Sequence, residues 1–479
     1  MDQFKPHLPI ELTDSIINEV GSFPDKRARS EALSSFALAS PTYRQQVNKL
    51  RFEKINIHSI EDIHAFSHLL RTDTWPQEDQ TVRSCIRNVD VELLDDWDSL
   101  NVALNDGDMA FILQSLYRRY TRDKAPSLPF SFSWEAKVGR YNDNCFWSWK
   151  SLCSDVQSAL KTLLLESCLT DLSIYSLSDI PNDFLHGSHI QQFHFTDITF
   201  DRRIGSDFCE STEGVLDSWH LKNVSTFITN HSTSPLHYIG NNLYSSSQLS
   251  APGFSNLTTL ILCICNDEEY KMTRALMERT TTLKRIAFSL PDSHELPGPL
   301  CFDHLELLEI VEVVIYNPLR PRAPDYLKFV HDIVDCLRPA IPLVRSLIFK
   351  FSIVSTNDQK TDYASIFGGH NFSAMDAWLA ESLPPTVKTV EIHLSVAFSL
   401  DWDVDNFIEQ FRREGGKYAR RLFPRLAKSK TSRFSVQIDV TYAYHDIEQS
   451  HYSSSPGYRW KVFRGFVDYR GYPITPIAS

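Results

Sequence analysis

Little in this 479-residue chain suits a membrane, an export route or a reaction centre. No stretch approaches the ~18 uninterrupted apolar residues of a membrane-spanning helix. No membrane partner is therefore expected. The opening Met1-Asp-Gln-Phe-Lys-Pro-His7 lacks the apolar core of an export signal. The cysteines number nine, an odd count, and most lie inside apolar patterns. That usage fits reduced thiols serving as small hydrophobes in the cytoplasm, the nucleus or both. Glycine is scarce at 16 residues, and 42% of the chain is hydrophobic, which argues for a folded polypeptide. Positive charge is not in excess: the formal net charge of −12 argues against nucleic acid as the partner. Catalytic signatures are missing as well. Gly415-Gly-Lys417 lacks the rest of a phosphate loop. There is no G-x-S-x-G elbow, no H-E-x-x-H and no paired C-x-x-C. The expectation is a chain that is not an enzyme and uses no cofactor or metal. A site built in an inserted loop is the weak alternative.

What is present is a recurring apolar pattern. Leu160-Lys-Thr-Leu163-Leu-Leu165-Glu-Ser-Cys168 reads L-x-x-L-x-L-x-x-C. Leu257/Leu260/Leu262 is a close copy, ending at Cys265. Looser copies are Ile190/Phe193/Phe195, Leu216/Trp219/Leu221, Leu283/Ile286/Phe288, Leu305/Leu308/Ile310, Val344/Leu347/Phe349 and Val387/Val390/Ile392. Phe52/Ile55/Ile57 and Ile86/Val89/Val91 extend the series toward the N-terminus. Each reads as a short strand whose last two apolar residues, two apart, enter one core. A weak further copy is expected near Leu236/Ile239. The pattern resembles a leucine-rich repeat, with intervals wider and less even than the ~20–29 residues of regular arrays. One such unit cannot bury its own apolar face, so neighbours must stack. The expected fold class is α/β. A small N-terminal three-helix unit precedes an irregular leucine-rich-repeat solenoid, a curved and mostly parallel sheet with helices on its convex side.

Between the strands, helices are expected at 59–71, 108–120, 153–161, 267–280, 325–337 and 373–382, where apolar residues recur at helical spacing. His64 and His68, four apart in the first of these, have the spacing of two metal ligands. No third ligand stands near them in sequence, so a solvated pair is expected. Asp401, Asp403 and Asp405 are read as cap and dipole partners of a helix after Val404. Residues 412–433 form the one basic segment, with Tyr418, Leu422, Phe423 and Leu426 along its apolar side. Residues 446–479 are an aromatic-rich tail expected to cap the array.

Residues 7–52 carry a second message. Pro9 can start a helix, with Leu12, Ile16 and Ile17 on one face. Further helices hold Leu33, Phe36 and Leu38, then Tyr43, Val47 and Leu50. So few residues cannot hide that much apolar surface by themselves, and a partner is implied. His7-Leu-Pro-Ile-Glu-Leu12, the Ile16-Ile17 pair and Leu33-Ser-Ser-Phe36-Ala-Leu38-Ala-Ser40 resemble an F-box. The match is close at the opening and looser at Leu38-Ala-Ser-Pro-Thr-Tyr43. An F-box joined to irregular leucine-rich repeats resembles F-box-like proteins numerous in fungi. That resemblance implies a non-catalytic substrate receptor of an SCF-type (cullin–RING) ubiquitin ligase. Leu8, Pro9, Leu12, Ile16, Ile17, Leu33 and Leu38 would seat on a Skp-type adaptor. The domains expected are 1–52, 53–445 and 446–479.

Strand alternation picks the residues for a target protein. In each L-x-x-L-x-L the residue between the last two apolar positions points away from the core. That row is Leu164, His194, His220, Ile261, Glu309, Ile348 and Glu391, with Ala287 among them. Its mixed chemistry suits a protein ligand better than a polyanion. A plain repeat scaffold, with the N-terminal helices as its cap, is the alternative reading.

Overall fold

The computed structural model describes residues 10–22, 25–39, 41–72, 82–118, 129–138, 147–165, 168–181, 183–185, 187–201, 223–230, 256–264, 267–278, 280–290, 302, 305–316, 344–355, 372–398, 421–428, 433–445, 458–467 and 473–474. The chain divides into two compact units, Met1–Asn223 and Val224–Ser479. Each is α/β, with a sheet that is wholly or mostly parallel. No helix is long and apolar enough to cross a membrane among the described residues.

The first unit opens with three helices, α1 (Ile10–Gly21), α2 (Lys26–Ala39) and α3 (Pro41–Phe52). Ile17, Leu33 and Val47 form their core, and Val20, Phe36, Ala37, Tyr43 and Leu50 pack around it. Gly21 ends α1 against α3: a Cβ there would lie 3.0 Å from Leu50 Cδ1. The Arg44 guanidinium donates to the Ala37 carbonyl at 3.1 Å, and Arg51 donates to the Ser30 carbonyl at 2.8 Å, tying α3 to α2.

The alternation of strand and insert follows. Strands β1 (Lys54–Ile57), β2 (Asn88–Asp95), β3 (Phe130–Val138), β5 (Leu169–Tyr175) and β7 (Gln192–Thr196) lie side by side and parallel. Two short strands, β4 (Trp147–Ser148) and β6 (Leu177–Ser178), make a separate parallel pair. Inserted between the strands are α4 (Ile60–Thr72), α5 (Val82–Cys85), α6 (Trp97–Asn105), α7 (Gly107–Arg118) and α8 (Ser154–Leu164). Alternate strand residues Val89, Val91, Phe132, Trp134, Leu172, Ile174, Phe193 and Phe195 are buried. Each fully buried large apolar side chain contributes about 1.5–3 kcal/mol before entropy is subtracted. Ser176 and Asp197, each directly after a strand, have φ of 54° and 53°. The left-handed turn thus recurs at the exits of β5 and β7.

In the second unit β8 (Thr226–Asn230), β9 (Thr259–Cys263), β10 (Arg285–Leu290), β11 (Ile310–Tyr316), β12 (Ser346–Ser355), β13 (Thr389–Phe398) and β14 (Arg433–His445) are parallel and follow chain order. Strands β15 (Tyr458–Val467) and β16 (Pro473–Ile474) extend the sheet antiparallel. The tail therefore covers the hydrogen-bonding edge of β14, where an open edge would invite other strands. Helices Asp267–Glu278 and Phe372–Ser382 belong to this unit.

A backbone signature recurs at six strand entrances. The carbonyl just before β8, that of Ser225, accepts from both Thr258 and Thr259 at 2.9 and 3.0 Å. Thr258 in turn accepts from Lys284 and Arg285, Lys284 from Glu309 and Ile310, Glu309 from Arg345 and Ser346, and Arg345 from Lys388 and Thr389. Glu53 accepts from Arg87 and Asn88 in the first unit. The same geometry recurs because these strands begin at the same place relative to their neighbours.

That geometry corrects two expected strands. Leu160, Leu163 and Leu164 lie in α8, buried with Val156 and Ala159. Spacings of three and four set them on one helical stripe, and the strand follows at Leu169/Leu172/Ile174, a second L-x-x-L-x-I. Likewise the phase expected at Leu305/Leu308/Ile310 is shifted by three: Leu305 and Leu308 are buried but precede the strand, and Ile310 is half-buried. The apolar trio that aligns with Leu283/Ile286/Phe288 is Leu308/Val311/Val313. The copies at Leu216 and Leu236, the helix expected at 325–337 and Asp401–Asp405 lie outside the described residues.

Candidate interaction surfaces

The helical unit sorts its apolar residues into two sets. Ile17 and Leu33 are buried at 0% and 4% exposure and belong to the core. Leu12, Ile16 and Leu38 face solvent at 49%, 38% and 81%. Leu8 and Pro9 lie outside the described residues. The core is closed without the three exposed side chains, so they are available for contact.

The polar side of the strands in each unit holds most of the expected target row. His194 stands on β7, half-buried, and its Nδ1 lies 2.8 Å from the Tyr175 hydroxyl. Burial lowers the His194 pKa, favouring the neutral ring. Ile261, Ile348 and Glu391 occupy equivalent places on β9, β12 and β13, all half-buried. His220 lies outside the described residues. Leu164 is a correction: at 2% exposure inside α8 it touches no partner. Glu309 is a second correction. It precedes β11, where its backbone links the neighbouring strand entrances, and its side chain is not in the row.

Glu312 takes the place assigned to Glu309. It is in register with Ala287 and Ile348 and is 4% exposed. Its Oε2 lies 2.6 Å from Arg285 Nη2 and its Oε1 2.6 Å from Lys350 Nζ. Burial raises its pKa, but the bonds and charges of Lys350 and Arg285 outweigh burial and hold it below the ordinary range. Beside it Glu391 and His393 approach to 3.3 Å. The signal for Glu312 was in the sequence, in the alternation Leu308-Glu-Ile-Val311-Glu-Val313.

Two other clusters bear on chemistry. His64 gains neighbours from the α6–α7 link rather than from His68. Its Nε2 lies 2.8 Å from Asp106 Oδ2 and 3.9 Å from Asp108 Oδ2. These three side chains meet within metal-binding distance of one another. However, Asp108 Oδ1 already accepts from Ser67 at 2.9 Å and pairs with Arg71 at 2.6 Å. Arg71 and the positive N-terminus of α7 thus already offset part of the charge of the two carboxylates. The arrangement reads as an ion network joining α4 to α7. The basic segment also has a structural part. Phe423 and Leu426 are buried, and the Asp376 carboxylate accepts from Arg425 N at 2.8 Å and Leu426 N at 2.9 Å. Arg425 also pairs with Glu381.

No protein-family model matches the chain, and no curated protein is significantly similar to it.

Proposed function

We propose that the chain is a non-catalytic substrate receptor of an SCF-type ubiquitin ligase, built as an F-box-like helical unit joined to a degenerate leucine-rich array. The observation that carries this reading is the exposure of Leu12, Ile16 and Leu38 beside a closed Ile17–Leu33–Val47 core. Exposed apolar side chains on so small a unit fit a groove on a partner helix protein better than solvent. The resemblance of this segment to an F-box names a Skp-type adaptor as that partner. The polar sheet faces, with His194, Ile261, Ile348 and Glu391, would hold the target protein. Action would come from proximity: tethering raises the effective concentration of the target's lysines at the charged conjugating enzyme. No bond chemistry is asked of this chain, and its site of action would be the cytoplasm or nucleus. The test is affinity capture of the tagged chain from a eukaryotic extract. Adaptor and cullin should be recovered with the wild type and lost with Leu12→Asp/Ile16→Asp.

A plain interaction scaffold is the second reading, favoured by one contact. Helix α3 packs on α5 and runs directly into β1, as a cap would. A receptor predicts that the chain lacking residues 1–52 stays soluble; a cap predicts that it aggregates.

A further inference from the structure

We propose that the edge of the second unit where β12, β13 and β14 begin docks an acidic segment of a partner protein, one carrying several aspartates or glutamates. The proposal goes beyond the ligase reading and requires nothing of the adaptor. Arg345 immediately precedes β12, Lys388 immediately precedes β13, and Arg433 opens β14. The Lys388 amide donates to the Arg345 carbonyl at 2.8 Å and the Arg433 amide to the Lys388 carbonyl at 2.6 Å, which fixes the three backbones side by side. Neighbouring strands lie about 4.8 Å apart. Three exposed cations thus stand on three consecutive strands. Lys428, also exposed, precedes Arg433 by five residues and so lies within about 18 Å of it. The turn that carries it is pinned by the Asp376 carboxylate, which accepts from the Arg425 and Leu426 amides. The basic run of residues 412–433 therefore joins the cations of two other strand entrances at one edge, on a chain whose formal net charge is −12.

The fold makes no use of these charges. Among the described residues none of Arg345, Lys388, Lys428 and Arg433 pairs with a carboxylate, and the one bond from their side chains is from Lys388 Nζ to the Pro385 carbonyl at 3.3 Å. Carboxylates of the same elements are engaged elsewhere: Glu381 with Arg425, Glu312 with Arg285 and Lys350, and Glu391 with His393. Glu309, at the entrance of β11, bounds the patch on that side. The first unit shows the same position put to structural use. Arg87 precedes β2 with the same backbone bonds to its neighbour that Arg345 makes, and its Nη1 donates to the Ser84 carbonyl at 3.0 Å and the Ile86 carbonyl at 2.8 Å. The guanidinium groups of Arg345 and Arg433 make no such bonds among the described residues. Like charges on adjacent strands repel each other, and a local rule broken without structural gain marks a functional surface. An anionic ligand laid across the edge offsets that repulsion. Protein fits better than nucleic acid. A duplex carries one negative charge per ~1.7 Å and would run past the patch, beyond Glu309, onto an acidic chain. An extended acidic segment instead offers same-side carboxylates about 7 Å apart, and guanidinium groups take carboxylates in paired hydrogen bonds.

The experiment titrates the full chain into a fluorescent peptide of alternating glutamate and serine, read by anisotropy. A lysine–serine peptide and a single-stranded oligonucleotide of equal length are the counter-probes. The glutamate peptide should bind, the lysine peptide should not, and added salt should weaken binding. Arg345→Gln/Lys388→Gln/Arg433→Gln should weaken binding by about tenfold or more. Arg345→Lys/Arg433→Lys keeps the charge and should stay within about threefold of the wild type, which separates loss of charge from loss of fold. Lys49→Gln/Lys54→Gln/Lys271→Gln removes the same charge from exposed positions elsewhere and should change affinity by less than about twofold. Equal losses in the two glutamine triples would reduce the effect to net charge and overturn the proposal. No binding of the glutamate peptide would overturn it as well, and so would tighter binding of the oligonucleotide.

Discussion

Replacing Glu312 by glutamine should destabilise the middle of the second unit by about 1–3 kcal/mol. Removing one member of a fully buried ion pair typically costs about 3–5 kcal/mol, because the partner charge is left buried. Here Glu312 is 5% exposed in its side chain, but Arg285 and Lys350 are 40% and 36% exposed and recover water when released. Solvent screening therefore scales the cost down. Glutamine keeps the shape and one acceptor oxygen, so packing is preserved. The pH dependence follows from the lowered pKa. Its stabilising effect is full at neutral pH, above the ordinary glutamate value of about 4.3, and is lost as pH falls through the lower value in the folded chain. The difference between wild type and Glu312→Gln should accordingly shrink toward zero in strong acid. Hydrogen exchange of peptides covering β10, β11 and β12 reports this locally, without assuming that the two units unfold together. Equal protection of both proteins at neutral pH, or a difference that persists unchanged in acid, would show that the Glu312 ion pairs do not stabilise these strands.

Neighbouring residues of α1 should behave oppositely: Ile17→Ala should cost about 2–4 kcal/mol in helix protection, and Ile16→Ala less than about 0.5 kcal/mol, measured by exchange over α1–α3. Asp376→Ala leaves the Arg425 and Leu426 amides without their acceptor, and should cost about 1–3 kcal/mol in denaturant unfolding of the second unit. Leu164→Lys should unfold or aggregate the first unit, because α8 buries that side chain; a solvent-facing strand position would accept lysine without effect, and circular dichroism with light scattering separates the outcomes. Asp108→Asn should weaken the α4–α7 contact at neutral pH. The effect should fade in acid, since Ser67 and Arg71 outweigh burial and hold this carboxyl below its ordinary range; thermal melts across pH read it.

Much of this arrangement was legible because strand alternation is a strong signal. Val89/Val91, Phe193/Phe195, Leu260/Leu262, Ile286/Phe288, Leu347/Phe349 and Val390/Ile392 are all buried, as their spacing requires. The two misplaced strands share one cause. L-x-x-L sets two leucines on one side of a helix as readily as at the start of a strand, so Leu160/Leu163 gave no way to choose. The run Val156, Ala159, Leu160, Leu163, Leu164 settles it for a helix, and the β-rich Leu169–Tyr175 supplies the strand. At Leu305–Val313 three apolar phases overlap, and only pairing with β10 selects the one that turns Glu312 toward the face. The His64 cluster was illegible for another reason. Asp106 and Asp108 lie some forty residues on, and helix packing alone brings them to it. Exposure within the helical unit was likewise beyond sequence: Ile16 and Ile17 are adjacent and chemically identical, and only the placement of α2 and α3 decides which is covered.

The most direct measurement mixes the purified chain with a purified Skp-type adaptor and reads the mass by size exclusion with light scattering. The account predicts a one-to-one complex at micromolar concentration that disappears with Ile16→Asp and Leu38→Asp while each variant stays folded. Two species that elute separately at every concentration, or a complex indifferent to both substitutions, would contradict it.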